Sequence, residues 1–151
     1  DPVATVADAI SLTGCGAGPG LIDGAAVLAH SIHANSYPRL PSSRYGAKLY
    51  ALIHPEAAAC AEPLRHLGYE PLVRPTPVEP EAIRGRFLRE HVAKTGCCGE
   101  KEFVKLWAYA LTEHPIAVHL DLDYLVLRPL DDLFDAMMAG EGGKGVLYEK
   151  I

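Results

Sequence analysis

The sequence predicts an α/β domain on a mostly parallel sheet, and three observations carry that expectation. Short apolar runs bounded by turn formers alternate with stretches of helical periodicity, the pattern of strand-helix-strand units. A chain of 151 residues that is 49% hydrophobic and 22% charged can bury one core, so residues 1–151 read as a single domain. Two carboxylates, Asp121 and Asp123, fall where an apolar run ends, and parallel sheets carry their ligand sites beyond the carboxyl ends of the strands.

The run Ala9 to Thr13 is strand-like and passes into a loop from Gly14 to Gly20 that is too rich in glycine to be anything else. Ile22, Ala25, Ala26, Ala29 and Ile32 then recur at helical spacing between Leu21 and Ala34, and Pro38 and Pro41 mark the segment beyond that helix. Ala47 to Ile53 is apolar apart from Lys48, as in a buried strand. Pro55 opens a second helix to about Leu67, with Gly68 as its C-terminal cap, and Tyr69 to Val73 is the next strand. Three prolines between Arg74 and Pro80 require a loop.

From Glu81 to Lys94, mixed charges among Ile83, Phe87, Leu88 and Val92 predict a partly exposed helix, which Thr95 to Gly99 breaks. Phe103, Leu106, Trp107, Ala110 and Leu111 mark a further helix with Trp107 on its apolar face. Ile116 to Leu120 is a short strand ending at Asp121, and Leu125-Val126-Leu127 is a second extended piece. Pro129 leads into a helix from Asp131 to Met138 with acidic residues at its positive end. Glycines at 140, 142, 143 and 145 precede a last strand-like run, Val146 to Tyr148.

A net charge of -5 provides no broad basic surface, so nucleic acid is not the expected partner. No apolar run approaches the roughly 20 residues of a membrane span, and the N-terminus lacks the layout of a signal peptide. The chain has no initiating Met and stops just after the Val146 run, as expected of part of a longer protein. Cys15, Cys60, Cys97 and Cys98 lack paired metal-binding spacing and read as free thiols, with disulfides left open. His30 and His33 read as packed or solvated, and His119 as a satisfied strand histidine.

Carboxylates at i and i+2 of extended backbone point to one side, with Cα atoms roughly 6.5 Å apart for a rise of about 3.3 Å per residue. Such a pair suits a hard cation, Mn²⁺ or Mg²⁺, shared with a diphosphate. An isolated Asp-x-Asp is common, so its surroundings decide. Glu102 to Leu111, then Val118 to Asp123, then Leu125 to Asp135 form one block, joined by Gly24 to Ile32, Leu52 to Pro55 and Leu67 to Glu70. In order and spacing these segments resemble the family 8 glycosyltransferases, the group of glycogenin and galactinol synthase.

The resemblance implies a Rossmann-like GT-A fold, the nucleotide-diphospho-sugar transferase fold, of which this chain would be the N-terminal, nucleotide-sugar-binding part. It implies metal-dependent, retaining transfer of a hexosyl group from a UDP-sugar to a glycan, protein or polyol acceptor. Asp121 and Asp123 would be metal ligands, with the Leu122 backbone near the ribose. Lys105 would approach the donor and Thr13 the nucleoside. The family's basic residue before Lys105 corresponds to Lys94 or Lys101, and Leu21 stands where an aromatic often meets the uracil. A third ligand, a histidine, and a Lys-Pro-Trp-type segment are expected downstream of Ile151.

Two other readings compete. A non-catalytic domain of the same fold would bind nucleotide or act as a scaffold. A haloacid-dehalogenase-type phosphatase would use an Asp-x-Asp at its first strand, with Thr or Val two residues after the second Asp; here the motif lies late and Leu125 holds that place. Sugar, acceptor and homodimer formation stay open, as does the compartment, cytoplasm or Golgi lumen.

Overall fold

The structure, a computed structural model, describes residues 1–16, 20–94, 96 and 98–140. Strand β1 (Ala4–Leu12) pairs in parallel with β2 (Tyr45–Ile53) along its whole length, from Ala4 opposite Tyr45 to Leu12 opposite Ile53. On its other side β1 takes β4 (Ala117–His119), and β2 takes β3 (Glu70–Val73), both in parallel. The strand order is β3-β2-β1-β4. This is an α/β architecture with an all-parallel four-stranded sheet, as the alternation of elements predicted.

Both faces of the sheet are covered, which is why its strands read as nearly unbroken apolar runs. On one face Ile10, Leu12, Leu49, Ala51 and Ile53 pack against Ala25, Leu28, Ala29 and Ile32 of α1 (Gly20–Ala34). On the other, Ala7, Ala9, Tyr50 and Leu52 meet Val104, Ala108 and Leu111. A third cluster joins Val6, Tyr45 and Ile116 to Phe134 of α4 (Asp131–Met138). Each fully buried aliphatic side chain here contributes about 1.5–3 kcal/mol.

Several elements differ from expectation for local reasons. Strand β1 begins five residues before Ala9 and runs through Asp8. The helix predicted from Pro55 to Leu67 is divided into a 3-10 helix, Pro55–Cys60, and α2 (Ala61–His66). A continuous α-helix would have set the Pro63 ring against a carbonyl one turn earlier; in α2 it falls within the first turn, where no N–H is needed. Between Glu81 and Lys94, α-helix is confined to α3 (Arg86–His91), flanked by the 3-10 turns Pro80–Ala82 and Val92–Lys94. Gly85 is extended and ends any helix arriving from the N-terminal side.

The segment Gly99–Ala110 is wound as a 3-10 helix and turns Val104, Ala108 and Leu111 inward rather than the face marked by Leu106. Trp107 is half-buried at that edge, its indole N–H donating to the Pro75 carbonyl at 2.8 Å. Leu125 to Leu127 forms no strand; Leu125 and Leu127 are exposed, and the Val126 backbone is held by α1 instead. Helix α4 has the predicted bounds. The buried Asp131 carboxylate at its start accepts from Ser43 Oγ at 2.8 Å and from the Arg44 amide at 2.7 Å, which fixes α4 to the turn before β2. The expected strand Val146 to Tyr148 lies outside the described residues.

The reading of all four cysteines as free thiols is corrected at one pair. Cys15 and Cys60 form a disulfide with Cα atoms 5.8 Å apart across 45 residues. Their sequence separation conceals a closeness that the register creates, because Leu12 and Ile53, the last residues of β1 and β2, are partners in the sheet. Cys98 is free, and Cys97 lies outside the described residues.

Candidate functional site

The carboxylates sit just past the end of β4. The Leu120 amide donates to the Ala9 carbonyl at 2.9 Å, so pairing with β1 continues one residue beyond the strand, and the chain then turns. The Tyr124 amide closes that turn on the Asp121 carbonyl at 3.1 Å. The two aspartates are thus held by a tight turn rather than by the extended backbone that their spacing suggested, and both are exposed. Leu122 between them faces inward, partly buried against the cluster under α1.

Close approach of α1 allows this. A Cβ on Gly24 would lie 3.2 Å from the Leu122 carbonyl oxygen, so glycine lets the first turns of the helix meet the carboxylate turn. A second glycine shapes the opposite side. Gly99 has φ +57, and a Cβ there would fall 2.9 Å from the Ala93 carbonyl oxygen, a position closed to any side chain.

Beneath the turn, His119 of β4 is joined to Ser11 of β1 at 2.9 Å between Nε2 and Oγ, which satisfies the strand histidine as expected. Burial pushes its imidazole below the ordinary value; Asp121 pulls it up, Lys105 pushes it down and Glu102 pulls it up. Lys105 is ion-paired with Glu102, Nζ to Oε2 at 3.1 Å. Thr13 is half-buried one residue after β1 and lines a cavity of about 490 Å³ with Gly14, Lys94, Gly99, Glu100 and Lys101.

Of the expected site residues, Lys105 is ion-paired with Glu102, Leu122 anchors the turn, Asp121 and Asp123 are exposed on it, and Thr13 lines the cavity beyond β1. Both basic residues considered ahead of Lys105 line that cavity, and Lys101 is additionally paired with Glu56 at 2.6 Å. Among the described residues no three His, Cys, Asp or Glu side chains converge where an ion could be held. His30 and His33 form no such group.

Three positioning residues escaped the sequence reading. Ser31 and Asn35 hold Val126 from α1, and Asp8 lies buried within β1. Hydroxyl and amide side chains on a helix carry no distinguishing spacing, and only the extension of β1 toward the N-terminus would have drawn Asp8 into view. No protein-family model matches the chain, and no curated protein matches it either.

Proposed function

We propose that the chain is the donor-binding part of a metal-dependent glycosyltransferase with a GT-A fold, using a UDP-sugar and transferring a hexosyl group to a glycan, protein or polyol acceptor with retention. The observation that carries this reading is the pair of exposed carboxylates on the turn after β4, in line with the resemblance of their surrounding block to family 8. Their oxygen donors fit Mn²⁺ or Mg²⁺, with the donor diphosphate and water completing the shell. A metal bound there would neutralise charge growing on the departing nucleoside diphosphate.

The remaining residues have supporting roles in this reading. Leu122, packed against the cluster under α1, would anchor the turn that presents the two exposed carboxylates to the metal. Lys105, restrained by Glu102, would place a cation beside the diphosphate. Thr13 and the cavity beyond it would receive the nucleoside, and 490 Å³ lies within the range of small-molecule sites. Lys94 and Lys101 add positive charge to the same wall.

A panel of UDP-sugars incubated with the complete protein and Mn²⁺ tests the assignment through donor hydrolysis. Release of UDP from one sugar above the rest, abolished by chelation, is the expected outcome; no release from any donor contradicts transferase activity. A second reading of the same turn and cavity is a nucleotide-binding domain without transfer. That reading predicts Mn²⁺-dependent UDP binding with no hydrolysis of any donor.

A further inference from the structure

Asp8 stands in the middle of β1, paired with Leu49 of β2 and Val118 of β4, and is 4% exposed. Alternate residues of a strand share a face. Asp8 therefore lies between Ile10, which packs under α1, and Val6, which packs with Phe134 of α4, at the seam of two apolar clusters. Its carboxyl group makes no hydrogen bond or ion pair to a described residue, and its oxygens keep a slight contact with solvent space. It borders a cavity of about 10 Å³ with Asn35, Ser36, Gly46, Val126 and Phe134, room for about one water molecule.

Two walls of that cavity are the clamp on Val126. The Val126 amide donates to Ser31 Oγ at 3.1 Å, and Asn35 Nδ2 donates to the Val126 carbonyl at 2.9 Å. Val126 is three residues after Asp123, so the clamp also restrains the carboxylate turn. We propose that Asp8 is a proton-operated catch for this clamp: as a neutral acid it lets β1, the C-terminal end of α1 and the Val126 segment close together, and as a carboxylate it draws in water and releases Val126.

An ionised carboxylate without a partner is strongly disfavoured in such surroundings, and burial pushes the Asp8 carboxyl up to about 7. The ionisable groups on the elements packed around it offer no countercharge. Tyr69 donates its hydroxyl to the Ala25 carbonyl at 2.9 Å, Asp131 is held by Ser43 and Arg44, and Arg128 and His30 are exposed. On α1, His33 is itself pushed toward the neutral form, by burial, Arg39 and His30 in that order. The acid is weaker in the closed state than in water, so closure is favoured at low pH. It loses ground as pH rises from about 4 toward 7 and is pH-independent above that.

The inference is independent of the nucleotide-sugar reading, and its test needs no ligand. Amide exchange at Val126, followed by NMR and corrected for the intrinsic rate, reports opening of the clamp. Between pH 5 and pH 7 the opening constant is expected to rise about fiftyfold, nearly tenfold per unit at first and levelling off near 7, and to stay flat in Asp8→Asn. A flat profile in the natural sequence, or the same rise in Asp8→Asn, overturns the proposal. The carboxyl ¹³C shift of Asp8 in the unmutated chain decides independently of the variant's folding. A midpoint near 7 supports the catch, and one near the ordinary 3.8 refutes it.

Discussion

The Asn35 side chain donates to the Val126 carbonyl at 2.9 Å across 91 residues of sequence, tying the end of the first helix to the segment that follows the carboxylate turn. Ser31, one turn earlier on α1, takes the Val126 amide. A segment with no strand partner thereby has both backbone groups of its central residue satisfied from one helix. The clamp places the exposed carboxylates on a fixed base.

Loss of this bond is expected to cost stability. Asn35→Ala leaves the Val126 carbonyl without its donor in a partly buried place, a penalty of about 1–3 kcal/mol. Urea denaturation should show a lower midpoint with an unchanged slope. An unaltered midpoint would mean that the clamp contributes nothing.

Removing Asp131 strikes a second anchor. In Asp131→Ala the Ser43 hydroxyl and the Arg44 amide lose a buried, charged acceptor, and α4 loses its attachment to the turn before β2. The expected destabilisation is about 2–3 kcal/mol, read as a fall in Tm. Asp132→Ala, exposed on the same helix, is the control and should change Tm little.

Gly99→Ala is expected to be more harmful than an exposed glycine substitution elsewhere. Its left-handed backbone and the Ala93 carbonyl at 2.9 Å both oppose a Cβ, and such strain costs on the order of 1–3 kcal/mol. Gly14→Ala, with open space around it, supplies the comparison. Equal thermal stability of the two variants would contradict the packing described for the 99 turn.

The raised carboxyl of Asp8 has a sign that equilibrium unfolding can check. Its folded value of about 7 lies above the unfolded 3.8, so its protonated form supports folding at acid pH and that support drains away as pH climbs from 4 to 7. Asp8→Asn, which cannot ionise, should gain stability over the natural chain above pH 7, by about a few kcal/mol. The gain should shrink to nothing near pH 4. A constant difference at all pH values would remove Asp8 as its source.

Much of the architecture was legible in sequence because the elements that matter are regular. The apolar runs at 47–53 and 116–120, the periodicity of α1 and the acidic start of α4 each state their own structure. The errors arose where a local rule competed with context. The strand-like run from Ala9 left out the first five residues of β1, Asp8 among them, and Pro63 was overlooked inside a helix that it divides. The 3-10 winding of Gly99–Ala110 rotated the buried face away from the one that α-helical spacing marks. For the site, Asp-x-Asp gave the position of the carboxylates but not the turn that carries them. The Cys15–Cys60 bridge and the Asn35–Val126 bond join residues brought near only by the parallel register and the crossing of α1, and no spacing encodes either.

The central claim rests on the two carboxylates, and calorimetric titration of UDP in the presence of Mn²⁺ tests it most directly. The natural chain should bind UDP with Mn²⁺ and bind it much more weakly once the metal is chelated. Asp121→Asn and Asp123→Asn should each abolish the metal-dependent part while keeping the Tm, since both side chains are exposed. UDP binding that proceeds undiminished in either variant would contradict a metal-mediated donor site at this turn.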